Sequence, residues 1–110
     1  MNSEIIINVQ DVCGNNIYTR SDGSILYKKI KESLDSYDKV VVEFNEREIS
    51  SESFLDEAVV EHYLQPFFPG SEQKIVLRGV TSPDQMLLRR IYEYRKRLKI
   101  KQSKKSIIKK

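Results

Sequence analysis

Three short runs rich in β-branched residues punctuate the chain: residues 4–9 (EIIINV), 39–44 (KVVVEF) and 74–78 (KIVLR), with helix-periodic stretches between them. Strands alternating with helices must be joined by crossovers, and crossovers make neighbouring strands parallel. This alternation confines the chain to the α/β class. The uninterrupted Val40-Val41-Val42 suits a strand covered on both faces, with helices above and below. Residues 11–16 (DVCGNN) have turn chemistry, because Gly14, Asn15 and Asn16 tolerate positive φ. Residues 17–19 are then expected to return as a short strand and form an N-terminal hairpin. The expected order is ββαβαβα, a mixed sheet with a parallel centre flanked by helices.

The helices are marked by their starts and their apolar spacing. Ser21-Asp22 offers side-chain oxygens to unpaired N–H groups, and Leu26, Ile30 and Leu34 follow every four residues, giving about four turns. Phe54, Leu55, Ala58, Val59, His62 and Tyr63 mark a second helix, expected to end near Pro66 before a Pro69-Gly70 turn. Ser82-Pro83-Asp84 places a capping serine, a proline at the first helical position and an acid in the first turn. Leu87, Ile91, Tyr94 and Leu98 form the inward stripe of that third helix to about Ile100. The organisation expected is one domain over 1–101 and a basic, disordered tail over 102–110.

Charge is distributed unevenly. Of 19 basic and 16 acidic residues, eleven basic residues fall in 89–110 against Glu93 alone, giving +10 there. The eight basic and fifteen acidic residues of 1–88 give −7. An acidic body with a basic end raises nucleic acid, an anionic membrane or an acidic protein as partners. No apolar run has the roughly 18–20 residues of a membrane span, and the N-terminus lacks a secretory pattern. Cys13, the single cysteine, excludes an internal disulfide and a multi-cysteine zinc site. These features predict a cytoplasmic protein.

The stretch 49–57 (ISSESFLDE) lies between the carboxyl end of a strand and a helix, where open α/β sheets place ligand and partner sites. Ser50, Ser51 and Ser53 each suit the N-cap, and Ser53-x-x-Asp56 approximates a capping box. A phosphate on such a serine would add about −1.5 to −2 charge beside Asp56 and Glu57, and repulsion would oppose the helix start.

Arg20-Ser21-Asp22-Gly23, the valine strand ending in Glu43-Phe44, and the string Ser51-Glu52-Ser53-Phe54-Leu55-Asp56-Glu57-Ala58 together resemble the STAS-like domains of unknown function. Those are small bacterial and phage-borne relatives of the anti-sigma-factor antagonists. The similarity covers roughly residues 4–95. It implies a sheet flanked by helices, no catalysis, and regulation through protein–protein contact, with a histidine-kinase-like ATPase as partner. In antagonists the strand-to-helix loop carries Asp-Ser-Ser-Gly, and its second serine is phosphorylated. Alignment on the valine strand puts Ser53 at that serine, with Glu52 at the first serine, Ser51 at the aspartate and Phe54 at the glycine. The resemblance thus implies Ser53 as a phosphosite and Ser50, Ser51, Ser53, Phe54, Asp56 and Glu57 as the partner-binding segment.

Few of the roles that catalysis requires are filled. His62 is a lone histidine, which cannot assemble a multi-histidine metal site, and no G-x-x-x-x-G-K-S/T string is present. Neither a cofactor nor a metal is expected. The alternative to a protein partner is nucleic acid, bound by Arg89, Arg90, Arg95, Lys96, Arg97 and Lys99 through phosphate neutralisation, with affinity that falls as salt rises.

Overall fold

The β-branched runs form β1 (Glu4–Asn8), β2 (Lys39–Glu43) and β3 (Ile75–Arg78), hydrogen-bonded in that order with both pairings parallel. The computed structural model describes residues 3–63 and 74–108, with the side chains of 63 and 99–108 left out. The register aligns Ile5, Val40 and Ile75, then Ile7, Val42 and Leu77, so these six side chains share one face. They join the core together with Leu26, Ile30, Phe54, Val59, Leu88 and Ile91 from the helices.

The structure corrects the expected N-terminal strand pair. The N-terminal hairpin does not form, so the sheet of the described residues is wholly parallel rather than mixed. Val9–Cys13 turns instead into a short helix, α1, capped by the Asn8 side chain, which accepts from the Gln10 amide. Residues 17–19 lead directly into α2 (Arg20–Ser36), and Ile17 is buried in the core rather than paired in the sheet. Val40 and Val42 face the described helices, and Val41, on the opposite face of the strand beside half-exposed Ile6, is buried as well.

α2 starts one residue before the expected Ser21-Asp22. Thr19 is its N-cap in a full capping box: Thr19 Oγ1 accepts from Asp22 N, and Asp22 Oδ2 accepts from Thr19 N, both at 3.0 Å. A single helix, α3 (52–63), follows the loop after β2. Its middle, Asp56–Val60, widens into a π-type turn between Glu52–Leu55 and Glu61–Tyr63. Phe54, Leu55, Asp56, Ala58, Val59 and Val60 are all buried. Such burial around the circumference befits a helix enclosed by neighbours on several sides. The expected end near Pro66 and the Pro69-Gly70 turn lie outside the described residues.

α4 (Ser82–Ile108) is preceded by Thr81, whose Oγ1 accepts from Asp84 N at 3.4 Å, so the cap is Thr81 and not Ser82. The helix continues past the end expected near Ile100 and into the stretch expected to be a disordered tail. No glycine or proline interrupts 84–108, and its lysines, arginines and leucines are good helix formers. No helix among the described residues is long and apolar enough to cross a membrane.

Gly23 sets how closely α2 and α3 approach. A Cβ there would lie 2.6 Å from Phe54 O and 3.0 Å from Glu57 Cβ. Gly23→Ala is expected to push the helices apart and destabilise the fold by about 1–3 kcal/mol. A thermal melt followed by circular dichroism reads this directly, and an unchanged midpoint would refute so close a crossing.

Candidate functional site

The loop joining β2 to α3 is held in an unusual backbone conformation. Asn45, Glu46 and Ser50 have φ near +56°, +57° and +55°, which costs side-chain-bearing residues energy and persists only under constraint. Hydrogen bonds supply that constraint. Glu43 Oε2 accepts from Asn45 N at 2.9 Å, Gly79 O accepts from Glu46 N at 2.7 Å, and Arg78 Nε donates to Glu43 Oε1 at 2.6 Å. Gly79 is itself at φ +67°, and a Cβ there would strike Glu43. Buried Asp84 accepts from Ile49 N at 2.6 Å and Ser50 N at 2.9 Å, tying the loop to the start of α4. Ser51 ends the loop as the N-cap of α3, accepting from Phe54 N at 3.2 Å and donating to Tyr18 O at 2.5 Å.

Beyond the cap, the π-type turn carries Asp56 inward to a side-chain exposure of 6%. Two arginines converge on it. Arg95 binds both carboxylate oxygens, Nε to Oδ1 at 3.0 Å and Nη2 to Oδ2 at 2.5 Å, and Arg20 Nη1 reaches Oδ2 at 3.0 Å. Burial pushes the Asp56 carboxyl upward, yet the Arg95 and Arg20 bonds outweigh it and hold the group below its ordinary value. Arg20 also reaches Glu57 at 3.5 Å and Glu61 at 3.4 Å. Glu57 Oε2 lies 2.9 Å from His62 Nε2, and the His62 ring stacks on Tyr27 with centroids 3.8 Å apart. The bond to His62 is the leading cause that lowers the Glu57 carboxyl, against the opposing effect of burial.

Ligand atoms of Glu57, Glu61 and His62 lie within 4.8 Å of one another, a spacing compatible with a metal. The Arg20 guanidinium already sits on two of these carboxylates, so the group is arranged as an ion-pair network around a fixed cation. Cys13 is buried, and desolvation raises its thiol above the ordinary value, which leaves little thiolate.

A pocket of about 610 Å³ opens beside Asp56, between the start of α3 and the outer side of α4. Glu52 and Ser53 line it from α3, and Arg90, Tyr94 and Arg97 from α4. Arg20, Asp56, Arg95, Ile91 and Leu98 complete its lining. Tyr94 was expected in the inward stripe but is 58% exposed. The buried side of α4 runs instead through Asp84, Leu88 and Ile91 to the Arg95 ion pair, a face rotated from the expected one. That rotation brings Arg90, Tyr94 and Arg97 onto one stripe, at i, i+4 and i+7.

The two candidate segments of the sequence therefore meet at one place. Of the expected partner-binding residues, Ser50 and Ser53 are exposed, and Ser51 is spent on capping. Phe54 is wholly buried and Asp56 nearly so, and Glu57 is engaged by Arg20 and His62. Phe54 thus belongs to the core. Of the expected nucleic-acid residues, Arg95 is committed to Asp56, and Lys96 lies 5.9 Å above the Tyr92 ring. Arg89 is exposed and engaged, and the Lys99 side chain lies outside the described residues. Arg90 and Arg97 make no hydrogen bond or ion pair among the described residues. Ser53 is bordered by guanidinium groups rather than facing the Asp56 and Glu57 charges alone, as the sequence had suggested.

Sequence marks Arg20 only within Arg20-Ser21-Asp22-Gly23 at the start of α2, where helix initiation and a small anion site explain it equally well, and it gives Glu52 no site role. Their signal was weak, since Arg20 lies far in sequence from the helix it serves. Comparisons with protein-family models, with curated proteins and with solved structures give no match.

Proposed function

We propose that the chain is a non-catalytic regulatory module that binds a protein partner through the face shared by the start of α3 and the outer stripe of α4. One observation carries this reading: Ser53, Arg90, Tyr94 and Arg97 line a single pocket, although sequence separates them into two segments. Arginine and tyrosine are the residues enriched at protein interfaces, where a few such side chains dominate binding. A partner presenting acidic groups suits the two guanidiniums. The resemblance of residues 51–58 to STAS-like domains supports a protein partner, a histidine-kinase-like ATPase in particular, and a cytoplasmic setting.

A phosphate on Ser53 would enter the same pocket and draw Arg90 and Arg97 onto itself. Modification would then compete with an acidic partner. Affinity capture from the native host, made with wild type, with Arg90→Glu/Arg97→Glu and with Ser53→Asp, tests both parts. A protein retained by wild type should be lost with the double variant and reduced at least several-fold with Ser53→Asp. Equal retention by all three would sink the reading.

A second reading is favoured by the +10 charge of residues 89–110. It is nucleic-acid binding by the C-terminal helix. Recovery of nucleic acid in place of a protein, falling steeply as salt is raised, would select it.

A further inference from the structure

We infer that the pocket between α3 and α4 is a binding site for a nucleoside phosphate. The stripe on α4 alternates charge, ring and charge: Arg90, Tyr94 and Arg97. Seven residues of helix put the two arginine Cα atoms about 10 Å apart, with the tyrosine between them. Both arginines line the pocket, and neither forms an ion pair with an acid of the described residues. A guanidinium grips a phosphate through paired, charge-assisted bonds.

The phosphate alone does not account for the rest of the pocket. Tyr94 leaves more than half its surface open, and Ile91 and Leu98 add an apolar floor. A planar base stacks on such a ring irrespective of its identity. Glu52 stands across the pocket on α3, an acceptor for sugar hydroxyls or an exocyclic amine, and Ser53 adds a hydroxyl. A volume of about 610 Å³ lies within the range of small-molecule sites. The position agrees independently. Open parallel sheets bind ligands beyond the carboxyl ends of their strands, and the loop of residues 44–51 leads from that end of β2 to the start of α3.

Asp56 has a supporting part. By pairing with Arg95 and Arg20 it neutralises their charge and prevents either from collapsing across the pocket. Arg90 and Arg97 remain the groups available to an incoming anion.

The inference stands apart from the protein-partner reading, because it is tested on the purified chain with no partner present. Isothermal titration of the full chain with ADP, with adenosine and with inorganic phosphate separates the contributions. ADP should bind saturably, and adenosine and phosphate should each bind at least tenfold more weakly. Arg90→Ala and Arg97→Ala should each weaken ADP about tenfold. Tyr94→Ala should weaken ADP several-fold while leaving the weak phosphate affinity unchanged. All three side chains are surface groups of a long helix, and circular dichroism melts establish that the variants fold. No saturable heat with ADP at millimolar concentration would overturn the inference. Phosphate binding as tightly as ADP would overturn the nucleoside part, and ADP affinity unchanged in both arginine variants would overturn the site.

Discussion

Phe54→Ala is expected to destabilise the domain by about 3–5 kcal/mol, the cost of emptying a large aromatic site in a closed core. Phe54 is fully buried beneath the crossing of α2 and α3, and its carbonyl is the atom that Gly23 approaches. Its neighbours are anchored by the strands, so the cavity has little room to collapse. The melting midpoint should fall by more than about 10 °C. Ser53→Ala, one residue earlier on an exposed position, should change stability by no more than about 0.5 kcal/mol. The contrast separates two roles for one short string. If Phe54→Ala kept the wild-type midpoint and lost partner capture, Phe54 would be a contact residue and its place in the core would be wrong.

The parallel sheet was legible because its cause is local. Runs such as Ile5-Ile6-Ile7 and Val40-Val41-Val42 declare strands by branching alone, and the helical spacing between them requires crossovers. The hairpin was misread for an equally local reason. Asn8 caps a helix at Val9, and this short side-chain bond ends β1 before its apolar run is complete. No periodicity announces it. The face of α4 was misread because hydrophobicity is only one reason for a side chain to turn inward. Arg95 takes an inward position because a buried carboxylate waits there, and Tyr94 is thereby left outside.

The site was half legible. Both of its segments were visible, one by its serines and one by its charge, but not that they face each other. That juxtaposition depends on α4 lying against the π-type turn of α3 and on Asp84 tying the β2–α3 loop to the helix start. Such contacts join residues about 35 positions apart, and nothing in either segment records its partner. The charge arithmetic also changes meaning. Part of the basic excess of the C-terminal helix is neutralised within the fold by Asp56, so the surface offered to a ligand is set by Arg90 and Arg97 more than by net charge.

Asp56→Ala should cost about 2–4 kcal/mol, since removing one member of a buried ion pair leaves the others desolvated without compensation. Arg20 is half exposed and can rehydrate, so the larger share should come from Arg95, which is more enclosed. Arg95→Ala should therefore approach the cost of Asp56→Ala, and Arg20→Ala should fall well below it. The double variant Asp56→Ala/Arg95→Ala should be less damaging than the sum of the singles, because each single strands the other's charge. Acid carries an independent signature. The folded-state pKa of Asp56 lies below its unfolded value, so its stabilisation is complete above about pH 4 and is lost as pH falls through the depressed folded value. Glu43 and Asp22 are lowered too and make the whole domain acid-labile. The diagnostic is thus a difference: the gap in midpoint between wild type and Asp56→Asn should be wide at neutral pH and narrow on acidification below about pH 4. A gap that stayed constant across that range would show that the carboxylate charge does not hold α3 and α4 together.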